Sequence, residues 1–188
     1  MDSNTGDDEN TVKFQIPVEE MQGVKLLDLE NYSDFRGSFD RLDFDKLPTV
    51  SQNSFAVSRN AIAGTTRGLH FQKSPHGQAK LIYCLAGSLD DYFLDLRTDS
   101  MSYGKWASIR LHSNSSMALF LPRGIAHGFQ TLESNTTLFY LFDSPFIQES
   151  SGVFSILDSK LGIQLALPIS SISESDRTAP GFHIQTGG

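Results

Sequence analysis

Short runs of alternating apolar residues, glycine- and proline-bearing turns between them, and regular spacing along the chain predict an all-β protein, a sandwich or jelly-roll barrel. Residues 24–29 form the first run and 55–58 the next. Residues 67–72 and Lys80–Ala86 have strand-like patterning, and Gly87-Ser88 reads as a hairpin turn into a strand over 89–96. Over Trp106–His112 the residues Ala107, Ile109 and Leu111 share one face. Met117–Leu121 and Thr136–Phe142 continue the series, and Pro122-Arg123-Gly124 marks a turn. Residues 39–47 suit one short helix. Residues 155–176 lack a regular period and are expected to pack over the barrel as turns and short helices.

The chain has 188 residues, enough for one domain with a sizeable core, and 39% are apolar. A net charge of −7 argues against nucleic acid as a partner, since phosphate binding needs clustered Lys and Arg. Any anionic substrate must be held by a few local cations. Cys84 is the only cysteine, so no internal disulfide and no thiolate metal cluster is expected, which fits a reducing cytoplasm. No run is long enough to span a membrane. Residues 1–11 are polar and acidic, unlike a signal peptide, and are expected to be a disordered tail ahead of a single domain over 12–188.

Two stretches carry candidate chemistry. One is Arg67-Gly68-Leu69-His70-Phe71-Gln72 with Gln78-Ala79-Lys80; the other is Ala126-His127-Gly128-Phe129, with Tyr140 following. His70 is either a hydrogen-bonded structural residue or a general base. A metal site needs further ligands, and the second histidine usual in metal-binding barrels is missing after His70. Lys80 shares a strand face with Ile82 and Cys84, and Tyr140 shares one with Leu138 and Phe142. Polar groups among such neighbours point to a lined cavity. For Lys80 the alternative is a strand end that snorkels to water. In a cavity it either forms a Schiff base or stabilises an oxyanion. Tyr140 donates a proton or merely packs. Arg67 and Arg123 grip phosphate or lie on the surface.

Together the motifs closely resemble the nucleotide-sugar 3,5-epimerase family. Asp34-Phe35-Arg36-Gly37, the Arg67–Gln72 stretch, Gln78-Ala79-Lys80, Asp95-Leu96-Arg97, Ser102-Tyr103-Gly104-Lys105-Trp106, Ala126-His127-Gly128-Phe129 and Ser173-Glu174-Ser175-Asp176 carry the likeness. The resemblance implies a cupin-type jelly-roll barrel with short C-terminal helical or turn segments, a homodimer and no metal or other cofactor. It implies an isomerase that inverts C3, C5 or both of a nucleotide-linked 4-keto-6-deoxy sugar through an enolate. His70 corresponds to the base, Asp176 to its paired carboxylate, Lys80 to the cation at O4 and Tyr140 to the acid on the opposite face. Arg67, Gln72 and His127 map to substrate-contacting positions, and Arg36 to the nucleotide diphosphate. Tyr32 and Phe146 map to aromatics that stack on the nucleotide base.

The chain departs from the family pattern at several of these places. Arg41 stands about where a glutamate follows the Arg-Gly turn. Phe55-Ala56-Val57-Ser58-Arg59-Asn60 replaces a polar stretch, Pro145-Phe146 a Tyr-Tyr pair, and Leu165-Ala166 a Trp-Pro. The catalytic set is untouched, while the nucleotide, the sugar and the number of inverted centres stay open. A sugar-nucleotide 3,4-ketoisomerase and a non-catalytic nucleotide-sugar-binding barrel are the alternatives.

Overall fold

A computed structural model describes residues 15–43 and 54–184. The expected acidic tail lies outside the described residues. Two five-stranded antiparallel sheets face each other, as in a jelly roll. One sheet has the order β12-β5-β10-β7-β8 and the other β1-β9-β6-β11-β4. The strands are β1 (Lys25–Asp28), β4 (Ser54–Asn60), β5 (Thr66–Gln72), β6 (Lys80–Ala86), β7 (Ser88–Asp95), β8 (Trp106–His112), β9 (Met117–Leu121), β10 (Ile125–Thr131), β11 (Thr136–Phe142) and β12 (Ser151–Val153). A separate hairpin joins β2 (Glu30–Asp34) to β3 (Gly37–Arg41).

The sequence alternation explains the packing. Ile82, Cys84, Leu89, Phe93, Leu111, Leu119, Leu138 and Tyr140 point inward and fill the space between the sheets. The opposite face of β6 turns Leu81 and Tyr83 to a second cluster with Ala118 and Phe120. The outer face of β5, β7, β8 and β10 is covered by the C-terminal segment, where Ile156, Leu161 and Phe182 pack on Leu69, Tyr92, Leu94 and Trp106. Trp106 Nε1 donates to Leu161 O at 2.7 Å, so the indole anchors that segment. Strands β7 and β10 are therefore buried on both faces along almost their whole length.

The segment expected to be a short helix behaves differently. Residues Phe39, Asp40 and Arg41 are strand, Leu42 and Asp43 are irregular, and 44–47 lie outside the described residues. Asp34 Oδ1 accepts the Arg36 amide at 2.8 Å and Gly37 adopts φ 134°. That turn folds the chain back and sets Tyr32 opposite Phe39. Asp40 ties the hairpin to the barrel, accepting from Tyr83 Oη at 2.5 Å and from Asn31 Nδ2 at 2.8 Å. The one α-helix among the described residues is α1 (Glu174–Arg177), a single turn capped by Ser173.

Candidate active site

Strict alternation would put Arg67 and His70 on opposite faces of β5. Both instead line one cavity, because the pairing with β10 shifts: His127 lies opposite His70, and Phe129 opposite Arg67. Three steps on β5 therefore match two on β10, a bulge that re-aims a side chain. Glycines permit it. Gly68 has φ 98°, and a Cβ there would lie 2.6 Å from Gly128 Cα and from His127 O. A Cβ on Gly128 would lie 2.5 Å from Arg67 O.

The cavity, about 270 Å³, is lined by Ala56, Val57 and Ser58 from β4, Arg67 and His70 from β5, Lys80 from β6, His127, Gly128 and Phe129 from β10, and Tyr140 and Phe142 from β11. A larger groove, about 570 Å³, runs over the outer face of β7 and β8, but its charged groups Asp90 and Arg110 already pair with each other.

Lys80 is buried and does not snorkel. Its Nζ donates to His70 O at 3.2 Å, and burial lowers its pKa to about 8 against the pull of Asp91. The ammonium is thus held in a low-dielectric wall beside His70. Tyr140 is buried with its pKa raised well above the ordinary phenol value, mainly by burial and then by Asp91. Its phenol stays protonated across the neutral range. The His127 ring meets Tyr140 edge-on, with centroids 5.9 Å apart.

Asp176 closes the set from behind. Thr66 N donates to Ser171 O at 2.8 Å, which lays the C-terminal segment along β5. Ser173 Oγ then accepts the Asp176 amide at 3.0 Å and fixes the turn of α1. As a result Asp176 Oδ1 lies 2.9 Å from His70 Nε2. Burial lowers the His70 pKa most; Asp176 pushes it back up, and Lys80, His127 and Arg67 push it down. Neutral imidazole is therefore available at neutral pH, held by a carboxylate on one edge.

Four other expected site residues fall outside the cavity lining. Gln72 is buried at the end of β5, where its Oε1 accepts the Ile147 amide at 2.7 Å and its Nε2 donates to Pro145 O at 3.4 Å. Phe146 is exposed between those two contacts. Tyr32 and Arg36 lie on the exposed β2–β3 hairpin, where Arg36 pairs with Asp34 at 2.6 Å. Among the described residues, no group of three or more His, Cys, Asp or Glu side chains is placed to share a metal ion.

The family model for dTDP-4-dehydrorhamnose 3,5-epimerase matches residues 19–183. The chain belongs to this epimerase family. The dTDP-4-dehydrorhamnose 3,5-epimerase of Sinorhizobium fredii is 34% identical over 165 residues, 85% of each chain. The dTDP-4-dehydrorhamnose 3-epimerase of Streptomyces niveus is 32% identical over 85% of this chain and 79% of its own. The crystal structure of dTDP-4-dehydrorhamnose 3,5-epimerase from Bacillus anthracis, with TDP and PPi bound, is 35% identical with a TM-score of 0.80, over 85% of this chain and 94% of that one. The cupin-type jelly roll expected from the motifs is the fold this epimerase-family chain adopts.

Two site residues of this epimerase-family chain were not singled out by sequence. Asp91 is fully buried on the inward face of β7, and His127 Nε2 lies 2.9 Å from both of its oxygens. Burial raises its pKa, while His127 and Lys80 oppose the rise. The available signal was a carboxylate inside the apolar run Leu89-Asp90-Asp91-Tyr92-Phe93-Leu94. Asn60 is the other: its Oδ1 accepts Arg67 Nε at 3.2 Å, and its Nδ2 donates to Thr136 O at 3.1 Å. Asn60 thereby aims the guanidinium along the cavity.

Proposed function

We propose that this epimerase-family protein inverts C3, C5 or both of a nucleotide-linked 4-keto-6-deoxy sugar, with His70, Asp176, Lys80 and Tyr140 as the reacting set. The C4 ketone acidifies the neighbouring C–H bonds. His70 takes the proton, Asp176 stabilises the imidazolium that forms, and the electron pair moves onto O4 as an enolate. Lys80 stabilises that oxygen. The Tyr140 phenol then delivers a proton to the opposite face of the carbon, and both residues return to their starting states by exchange with water. The observation that carries the reading is the convergence of five strands on one small cavity that holds a neutral imidazole backed by a carboxylate, a buried ammonium and a neutral phenol.

Arg67 and His127 face the same cavity and contact the sugar in this reading. Tyr32 and Arg36 do not line the cavity of their own chain, and Phe35 at the hairpin tip is 99% exposed. In this reading a second copy supplies them to the nucleotide, and the exposed hairpin favours such a homodimer. A monomer mass by sedimentation equilibrium contradicts that part. No helix among the described residues is long and apolar enough to cross a membrane, and we place the reaction in the cytoplasm.

Proton NMR with dTDP-4-keto-6-deoxyglucose in deuterated water tests the reaction. Deuterium at C3 and C5 supports two-centre inversion, and deuterium at one carbon narrows it to a single centre. Tight binding with no exchange at either carbon contradicts the enolate reading for this sugar.

A further inference from the structure

The cavity is too small for a whole sugar nucleotide. At about 270 Å³ it falls just under the range of roughly 300–1,000 Å³ usual for complete small-molecule sites. It has room for the sugar ring, and the nucleoside diphosphate must lie outside, at the cavity mouth. The chain leaving β11 continues directly from the cavity wall. Phe142, which lines the cavity, pairs in register with Lys80, and residues 143–147 follow it directly.

That short segment is pinned from two sides. Ala79 N donates to Asp143 Oδ1 at 2.9 Å, and Gln78 Nε2 donates to Ser144 O at 2.7 Å. Beyond it, Gln72 grips the backbone on both sides of Phe146, accepting from Ile147 N and donating to Pro145 O. Gln72 is only 7% exposed, so its amide has lost its water and depends on these partners. Phe146 itself is 64% exposed. A single exposed aromatic is ordinary. An exposed aromatic whose flanking peptide groups are held by a buried side chain, two residues along β5 from His70, is a preorganised surface.

We propose that Gln72 is a positioning residue for nucleotide binding, acting through Phe146: it holds the ring as a fixed platform for the nucleotide base and does not itself touch substrate. The proposal rests on the sugar-nucleotide reading above and assigns Gln72 a role different from the substrate contact expected from its motif. By fixing Phe146 from the strand that carries His70, Gln72 also sets the distance between the base and the reacting carbon.

The test is a double-mutant cycle of Gln72→Leu and Phe146→Ala, read by calorimetric titration with dTDP and by steady-state kinetics. Gln72→Leu is expected to weaken dTDP and raise KM by about 10-fold, as for a lost base–aromatic stack, with kcat within about 2-fold of wild type. Phe146→Ala is expected to do the same, and the double variant to lose no more than either single change. Additive losses, or a fall in kcat at unchanged KM and dTDP affinity, overturn the proposal. If Gln72→Leu does not fold, Gln72→Glu carries the same cycle, because it keeps the acceptor for Ile147 and removes the donor to Pro145. The dTDP titration needs no turnover, so it stays readable if the sugar assignment is wrong. Phe146→Ala with unchanged dTDP affinity, or wild-type protein that fails to bind dTDP, overturns the nucleotide platform and Gln72's role with it.

Discussion

Asp176 Oδ1 lies 2.9 Å from His70 Nε2, with the carboxylate side chain 4% exposed and the imidazole 47% exposed. The buried partner holds the ring, and the open partner faces the cavity. A carboxylate so placed orients an imidazole and raises its basicity. The relation is built by a segment far from β5 in sequence: the backbone bond from Thr66 of β5 to Ser171 and the Ser173 cap deliver Asp176 to the back of His70.

Replacing Asp176 by Asn keeps the shape and removes the charge. Asp176 pushes the His70 pKa up, so its loss moves that pKa further down. The acid limb of the rate profile is expected to shift to lower pH, while kcat falls by roughly 100-fold or more. A pH–rate series on Asp176→Asn with an unmoved acid limb contradicts the pairing.

The wild-type pH profile follows from two lowered pKa values. Activity is expected to rise as His70 loses its proton, below the ordinary histidine value of 6.5, and to fall through about 8 as Lys80 loses its charge. Lys80→Arg keeps a cation that does not titrate in this range. It is expected to turn over more slowly but without the alkaline fall. Persistence of that fall in Lys80→Arg assigns it to another group.

Lys80 also costs stability. Its pKa is about 8 in the fold against 10.5 for an ordinary lysine, so between those values the unfolded chain binds more protons and stability rises with pH. Below about 8 both states are charged and the burial cost is present in full, on the order of 3 kcal/mol. Lys80→Met is expected to abolish turnover and to raise Tm at neutral pH by several degrees, at roughly 2–4 °C per kcal/mol for a chain of this size. A lower Tm by scanning calorimetry shows that the ammonium is better paired than its burial implies.

Much of this architecture is legible in the sequence because most strands bury one face. The bounds of Lys80–Ala86, Trp106–His112, Met117–Leu121 and Thr136–Phe142 are those the alternation marks. Strand β10 is not legible that way: all its residues are buried, and Gln130 and Thr131 satisfy their side chains on Leu167 and Ile62 backbone oxygens. The β2–β3 hairpin was hidden because its faces are mostly solvent, which leaves no apolar period to read. In the cavity, His70, Lys80, Tyr140, Arg67 and His127 come together as their motifs imply. Gln72 belongs to the same motif as His70 but turns to the 145–147 backbone, and motif membership alone does not distinguish the two. Asp91 stayed unseen because a carboxylate inside a strand carries no mark of its buried histidine partner.

The most direct test of the two-faced proton transfer is solvent deuterium incorporation by Tyr140→Phe, followed by NMR of the recovered sugar. Phe keeps the ring and its packing on Phe142 and removes only the proton donor. With His70, Asp176 and Lys80 intact, deuterium is expected to enter the sugar with the original configuration retained, while inversion falls by about 100-fold or more. Inversion at the wild-type rate in Tyr140→Phe would contradict the account, because the second face would then be protonated by another group.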